Sequence, residues 1–377
     1  MAEKTPSKTD YALQSKAART LAAPKLSYLP PRPKKYKPEI GLIGCGGISG
    51  AHLEAYQKAG FRVVALCDKS LEKAEARRKE FFPKARVTTR PAELLEDDSI
   101  QVLDITPHPA DRVPLVRRAL EAGKHVLSQK PFVLDLKTGE QLCDLADQRG
   151  LKLAVNQNGR WAPHMAYMRE AVRSGLIGEV MSVHCGVHWN HTWVAGTPFE
   201  QIHDLIFYDF AIHWFDFLSS LIGDRSQRVM ASRQFAVGQR IRVPMLAQAI
   251  IEFTGGQASL VFDAHAVHGS LDHTVVVGTQ GMLTSSGPDL GRQTLTLHTA
   301  KGAATPLLEG KWFNDGFAGT MGELLLSVEQ DRQPLNNARD NLRSLALCFA
   351  AISAANTGKA VTVGAVKKLP QRPKAQS

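Results

Sequence analysis

Residues 40–50 read Ile40-Gly-Leu-Ile-Gly-Cys-Gly-Gly-Ile-Ser-Gly50, an apolar run that ends in closely spaced glycines. The run predicts a short buried strand, and residues 50–59 suit a helix. A strand, a glycine turn and a helix in this order are typical of dinucleotide-binding proteins, because the positive helix terminus then faces the pyrophosphate. Gly44 permits the tight turn, and Gly46 lets backbone amides approach the phosphates. Ser49 takes the third fingerprint position, where a small residue is tolerated.

The next apolar run, residues 61–67, ends at Asp68, 24 residues after Gly44. An acidic residue near this distance binds the adenosine ribose and repels a 2′-phosphate, which favours NAD. Lys69 and Ser70 follow directly and offer groups that bind a phosphate, so NADP remains an alternative. A simple turn aspartate is the other interpretation of Asp68.

The chain changes character near residue 160. Before that point short β-rich runs alternate with helical segments, which predicts a parallel, doubly wound sheet. After it, successive strands without intervening helices predict an open, mostly antiparallel sheet. We therefore expect an α/β chain with four parts, namely a flexible or extended Pro/Lys-rich arm (1–38), a Rossmann domain (39–158), an α+β substrate and oligomerisation domain (159–366) and a basic tail (367–377).

The net charge of +10 lies mainly in the two ends of the chain. Residues 1–38 hold nine Lys/Arg against two acids, residues 367–377 hold four against none, and the remainder holds 33 against 34. A nucleic-acid-binding protein would more commonly carry a basic face on its folded body, so we expect no nucleic-acid partner.

Other features of the composition indicate the cellular setting. No stretch approaches the roughly 18 apolar residues of a membrane span, and the first 20 residues lack the apolar core of a secretory signal. The five cysteines are odd in number, form no C-x-x-C pair and mostly lie in apolar runs. Buried reduced thiols in a cytoplasmic protein are therefore expected, with no membrane partner.

Two segments carry candidate chemistry. Lys130 lies in Gly123-Lys-His-Val-Leu-Ser-Gln-Lys-Pro131, after a strand, where α/β proteins bind ligands; taken alone it would more commonly be a surface lysine. The second is Asp209-Phe-Ala-Ile-His213-Trp-Phe-Asp216, whose helical spacing puts Asp209, His213 and Asp216 on one face. An acid–base pair fits this pattern, and so does a buried Asp–His hydrogen bond with no catalytic role.

Together the glycine turn, the Lys130-Pro131 step and the Asp209/His213 pair resemble the glucose–fructose oxidoreductase / inositol dehydrogenase family (Gfo/Idh/MocA). The resemblance covers about residues 39–365. In that family a Glu-Lys-Pro motif supplies the catalytic lysine and an Asp-x-x-x-His pair supplies acid–base residues, which implies these roles for Lys130, Asp209 and His213. The segment Thr106-Pro107-His108 resembles the family's Thr-Pro-Asn segment beside the nicotinamide. The cofactor-binding residues implied by motif and resemblance together are Gly44, Gly46, Gly47, Ile48, Asp68, Lys69, Thr106, Pro107, His108, Gln129 and Lys130.

The chain departs from the family pattern at three places. Gln129 replaces the Glu and removes a negative charge beside Lys130. Ala211 replaces a usual Gly, and Ile206-Phe207 replaces a glycine-rich approach to Asp209. These changes leave the chemistry possible and weaken the inference about the substrate.

Alternating residues on the strand after residue 180 place histidines on one face, followed by Trp189, His191 and Trp193, and such side chains suit a sugar and its hydroxyls. Three nearby histidines also fit a metal, but no acid or cysteine has ligand spacing, and we expect none. The candidate substrate contacts are Arg160, Trp161, His188, Asn314 and Asp315.

The sequence thus predicts an NAD-dependent dehydrogenase that oxidises a hydroxyl of a sugar, sugar derivative or inositol, as a homodimer or homotetramer. In this interpretation Lys130 and His213 hold the hydroxyl, His213 removes its proton and Asp209 orients the imidazole. Two alternatives remain open, namely a glycosidase that uses NAD for transient oxidation and elimination, and a non-catalytic NAD-sensing regulator. The sugar, the carbon oxidised and the direction of the reaction stay undetermined.

Overall fold

A computed structural model describes residues 18–372 of the chain. Residues 1–17 of the predicted arm and residues 373–377 of the predicted basic tail lie outside this range. None of the helices within it combines the length and apolar character that a membrane crossing requires.

The first half of the chain forms a six-stranded parallel sheet in the order β3-β2-β1-β4-β5-β6. This order reverses between β1 and β4, the place where dinucleotides bind in doubly wound folds. The elements are β1 (Glu39–Ile43), α1 (Ser49–Ala59), β2 (Arg62–Cys67), α2 (Leu71–Phe81), β3 (Arg86–Thr88), α3 (Ala92–Leu95), β4 (Ile100–Ile105), α4 (Pro109–Glu121), β5 (His125–Ser128), α5 (Leu136–Gln148) and β6 (Leu153–Val155).

Every predicted cofactor segment follows one of these strands. Gly44 comes directly after β1, Asp68 after β2, Thr106 after β4 and Gln129 after β5. Because all strands are parallel, their carboxyl ends share one edge of the sheet, and the four segments converge there.

The second half is built on a nine-stranded sheet in the order β14-β13-β12-β11-β7-β10-β9-β8-β15. Its strands are antiparallel except for β7 and β10, which run parallel at the centre. The elements are α6 (Pro163–Arg173), β7 (Val180–His188), α7 (Ile212–Ile222), β8 (Ser226–Gln234), β9 (Leu246–Phe253), β10 (Gly256–Asp263), β11 (Leu271–Gly278), β12 (Gly281–Asp289), β13 (Arg292–Thr299), β14 (Gly302–Ala304), α8 (Trp312–Glu329), α9 (Ala338–Thr357) and β15 (Val361–Thr362).

This arrangement confirms the predicted fold class, a Rossmann sheet followed by an open, mostly antiparallel sheet. Strands β12, β13 and β14 were not predicted. β12 and β14 are rich in small residues, and in β13 only Leu295 and Leu297 alternate with polar residues, which is too short a pattern to indicate a strand.

Helix α8 returns from the second sheet to the first. Its Phe317, Met321 and Leu324 are buried in one cluster with Ile40 and Leu42 of β1. The helix therefore fixes the second half of the chain against the strand that leads into the glycine turn.

The described part of the N-terminal arm, residues 18–38, lies extended on its own chain. Thr20 bridges to Ala303, and the Tyr167 hydroxyl donates to the backbone oxygen of Pro24 at 2.8 Å. The backbone amides of Lys35 and Tyr36 donate to the Glu329 carboxylate, at 2.6 and 2.8 Å. These contacts tie the arm to the second sheet and to the end of α8.

Candidate active site

The turn after β1 has the geometry of a phosphate cradle. Gly44 has a φ of +103°, and a Cβ there would collide with Thr106 Oγ1. Positions 46 and 47 face open space, with no atom within 4 Å of where a Cβ would stand. The backbone is thus open to a ligand directly before α1, which fits the pyrophosphate of a dinucleotide.

A groove of about 660 Å³ extends from this turn along the edge of the sheet. Asp68 lines it and is held in place by two backbone amides, since Oδ2 accepts from Cys45 at 2.7 Å and Oδ1 from Ser70 at 2.8 Å. Lys69 also lines the groove, but its side chain is 90% exposed and lies 3.7 Å from Asp111. A fixed carboxylate and a solvated lysine favour a ribose hydroxyl over a phosphate at this position.

A second cavity of about 510 Å³ joins the groove. Both are lined by Ile48, Thr106, Pro107 and His108. Since the first groove suits the adenosine half of a dinucleotide, the shared wall is where its nicotinamide half would lie. Gln129, Lys130, Asp209 and His213 line the second cavity beyond that wall.

Lys130 is bound to the turn that carries Asp209. Its Nζ donates to the backbone oxygen of Asp209 at 2.8 Å and lies 3.1 Å from Oδ1. An ammonium group has three protons, so one remains for an oxygen in the cavity. Asp209 therefore directs the lysine and neutralises its charge.

The predicted Asp209–His213 hydrogen bond does not form, and Asp209 contacts Lys130 instead. The reason is local: residues Ile206–Phe210 form a turn of π-helix, and α7 begins only at Ile212. The wider turn rotates Asp209 away from the face that α7 continues, so one helical face does not carry both residues. Asp216 lies on α7 as predicted and pairs with Arg160.

His213 reaches the cavity as a neutral imidazole. Burial, and then the charge of Lys130, lower its pKa well below the usual value. Its Nδ1 has no hydrogen-bond partner among residues 18–372, and the ring of Trp312 stands perpendicular to it at 5.3 Å. A neutral imidazole next to an ammonium group can accept a proton from a hydroxyl bound between them.

The predicted substrate contacts do not line this cavity. Arg160 is buried in an ion pair with Asp216 at 2.6 Å, because a buried guanidinium requires a partner. Trp161 is buried, with Arg169 stacked on its ring. The remaining three point elsewhere: His188 stacks on His273 of the second sheet, Asn314 lies beside Glu54, and Asp315 accepts from the amide of Lys311.

Aromatic side chains form the walls instead. Trp189, His191 and Trp193, which the sequence argument associated with a sugar face, all line the cavity. The lining residues that were not predicted include Asn158, Tyr208, Phe210, Trp312 and Phe313. Trp312 and Phe313 directly precede the predicted Asn314 and Asp315, so the segment was right, but the helical phase turns its aromatic residues toward the site.

Comparison with known proteins agrees with this geometry. Residues 39–157 match the family described as "Oxidoreductase family, NAD-binding Rossmann fold", and residues 165–284 match the "GFO/IDH/MocA C-terminal domain". A D-apiose dehydrogenase of Paraburkholderia graminis is 27% identical over 85% of this chain and 88% of its own length. An inositol 2-dehydrogenase of Rhizobium meliloti is 25% identical over 83% of this chain and 95% of its own.

A solved structure shows the same fold. It is an oxidoreductase from Agrobacterium radiobacter in complex with NAD+, L-tartaric acid and magnesium, with a TM-score of 0.77 and 20% identity over 87% of this chain and 99% of that one.

Fold, glycine turn and matched domains define an NAD-binding oxidoreductase. The chain belongs to the Gfo/Idh/MocA family, as its motifs indicated.

Proposed function

We propose that this enzyme oxidises a hydroxyl group of an uncharged sugar or polyol, with NAD as acceptor. The observation that carries the proposal is the pairing in one cavity of an ammonium group with a spare proton, Lys130, and a neutral imidazole, His213. The D-apiose and inositol dehydrogenases among its relatives act on substrates of this kind.

The chain's own residues would handle the hydroxyl. The spare proton of Lys130 donates to the hydroxyl oxygen, and His213 accepts the hydroxyl proton as negative charge develops on that oxygen. The ammonium of Lys130, directed by Asp209, stabilises that charge. When NAD+ is bound, held by the glycine turn, Asp68, Thr106 and Pro107, it supplies the acceptor for the carbinol hydrogen and its electron pair.

The charges in the cavity support an uncharged substrate. Lys130 is neutralised by Asp209 at 3.1 Å. The guanidinium of Arg112 is only 1% exposed and donates to the backbone oxygens of Pro107, Pro131 and Phe132. Burial lowers the pKa of His191 to about 4, so it is neutral. Within residues 18–372, no lining cation is therefore both exposed and unpaired, as a phosphate or carboxylate would require.

The aromatic walls support a substrate with one apolar face. The aromatic side chains that line the cavity include Trp189, Trp193, Phe199, Phe210, Trp312 and Phe313. The C–H face of a sugar ring packs well on such rings, while its hydroxyls reach the few polar groups, among them Asn158 and Asn190.

The experiment is a substrate panel with matched neutral and charged members, namely free sugars and inositols against the corresponding uronates and phosphates. We expect NADH to form with neutral members and kcat/KM to fall at least tenfold for charged ones, because a charge that is desolvated without a partner is strongly unfavourable. Cleavage of a glycoside without net NADH would indicate the glycosidase alternative. Tight NAD binding without turnover of any member would indicate the sensor.

We also propose that a second copy of the chain covers the outer face of the nine-stranded sheet. Met230, Ile250 and Val261 are exposed on this face, and Met230 lies directly opposite Ile250 on the neighbouring strand. Exposed contiguous apolar side chains on a sheet mark an association surface.

A cytoplasmic setting fits the five unpaired, buried cysteines.

A further inference from the structure

Behind the lysine, a buried histidine occupies the centre of a hydrogen-bonded chain. His52, on α1, is fully buried. Its Nδ1 lies 2.7 Å from the carboxylate of Asp104, and its Nε2 lies 2.9 Å from the side-chain nitrogen of Asn156 and 3.3 Å from that of Gln129. His52 takes no part in the chemistry proposed above.

The backbone amide of Lys130 determines which groups donate and which accept in these hydrogen bonds. The backbone amide of Lys130 can only donate, so the atom of Gln129 that faces it at 2.7 Å is the carbonyl oxygen. That oxygen also lies 3.2 Å from Asn156, whose nearer atom must then be its NH₂ group. Both amides therefore present NH₂ groups to Nε2 of His52.

Because Nε2 faces two donors, it must accept, and the imidazole carries its single proton on Nδ1. That proton points at Asp104, which is fully buried and also accepts from the Tyr56 hydroxyl at 2.7 Å. Asp104 and Tyr56 are the titratable groups that contact His52; the ring otherwise meets Gln129, Asn156 and Phe317.

We propose that His52 is a positioning residue that fixes the backbone of Lys130, acting through Gln129 as a neutral imidazole protonated on Nδ1. Asp104 supplies the one negative charge of the network, at the end remote from the lysine. The inference rests on the proposed function only in that Lys130 must act in turnover.

The proposal gives a physical reason for an amide at position 129. A Glu there would keep its contact with the Lys130 amide, but its second oxygen would face Nε2. Two carboxylates would then flank the ring, at positions 104 and 129, and their charges favour an imidazolium that donates to both. Because Asp104 accepts the proton on Nδ1 of His52, position 129 requires a neutral side chain that donates to Nε2.

The test reverses the polarity of the network. In the native protein, nitrogen NMR of labelled histidine at neutral pH should show His52 as the Nδ1–H tautomer. Gln129→Glu should convert it to imidazolium, and the double variant Gln129→Glu/Asp104→Asn should give the neutral Nε2–H tautomer. Tyr56→Phe, which removes the other donor to Asp104 and leaves the contacts of His52 with Asp104, Gln129 and Asn156 in place, is the matched control and should keep the native tautomer.

Turnover provides the second readout. Each single change at 129 or 104 should lower kcat about tenfold, and the double variant should recover to within about threefold of the native rate, as contacting residues couple. NAD binding should stay unchanged in Asp104→Asn, whose side chain is buried and lines neither cavity.

A native Nε2–H tautomer, or an unchanged tautomer in folded Gln129→Glu, would overturn the proposal. So would a double variant that falls below both singles in kcat. The tautomers do not depend on turnover. Correct tautomers together with full activity of Lys130→Ala would therefore refute the proposed function and leave the network intact.

Discussion

The ammonium nitrogen of Lys130, from the first domain, lies 3.1 Å from Oδ1 of Asp209, from the second. The side chains of this pair are 16% and 26% exposed, so the contact lies inside the cleft between the two sheets. This ion pair joins the segment after β5 to the π-helical turn before α7, at the position where we propose that the substrate reacts.

Replacement of Asp209 by Asn tests this contact. The amide keeps the size of the side chain, and the backbone oxygen still accepts from Lys130, but the negative charge is lost. We expect kcat to fall about tenfold, less than the 10²–10⁴-fold of removing a proton-transfer group. Steady-state kinetics measure this, with NAD affinity as the control. A larger loss than that of Lys130→Ala would contradict it.

Asp68 should determine the cofactor preference. Its carboxylate is already oriented by the amides of Cys45 and Ser70 and lines the adenosine groove. Asp68→Ala should reduce the preference for NAD over NADP by about 1–3 kcal/mol, the scale of a charged hydrogen bond. Calorimetric titration with both cofactors measures it, and Lys69→Ala, at an exposed side chain, is the control. Equal affinity of the native enzyme for both would refute the assignment.

A charge placed on the exposed apolar face of the nine-stranded sheet should disrupt the proposed dimer or tetramer. Ile250 is 48% exposed on the sheet, whereas Val237 is fully exposed in a turn outside it. Ile250→Asp should convert a native dimer or tetramer into smaller species, because a buried unpaired carboxylate is strongly unfavourable, while Val237→Asp should not. Light scattering distinguishes these outcomes. A monomeric native protein at micromolar concentration would exclude the surface as an interface.

Asp272 should make stability depend on pH. It is fully buried, Gln293 donates to its Oδ1 at 3.1 Å, and burial raises its pKa from 3.8 to about 7. Nearby His164 is also buried, and its pKa is lowered to about 3. Between pH 3.8 and about 7 the folded state therefore binds more protons at Asp272 than the unfolded state does, and this contribution to stability is lost as pH rises.

Asp272→Asn keeps the side chain neutral at every pH. The variant should be more stable than the native protein above about pH 7, and this advantage should shrink by up to about 1.4 kcal/mol per pH unit toward acid pH. Urea unfolding at several pH values measures it, with Asp98→Asn, at an exposed site, as the control. An advantage that grows toward acid pH would contradict the raised pKa.

Sequence patterns were sufficient for the parts of the site that depend on chain order. A glycine turn after a strand and an acid after the next strand fix the cofactor edge, because parallel strands must end at the same side of the sheet. Lys130 could be placed for the same reason.

Patterns failed where contacts join distant segments. The π turn at Ile206–Phe210 has no signature in a helical periodicity, and it redirects Asp209 from His213 to Lys130. His52 had no visible role, since its partners come from three other segments of the chain. Arg160 was taken for a substrate contact, because nothing local reveals that Asp216 neutralises it inside the core.

The central claim is that Lys130 and His213 act together on one hydroxyl proton, and a double-mutant cycle tests it most directly. With a confirmed neutral substrate, Lys130→Ala and His213→Ala should each lower kcat by about 10²–10⁴-fold while NAD still binds. The double variant should lose far less than the product of the two, because both groups serve the same proton. Single variants that turn over substrate within about threefold of the native rate would contradict the claim, since a positioned proton-transfer group contributes far more than that.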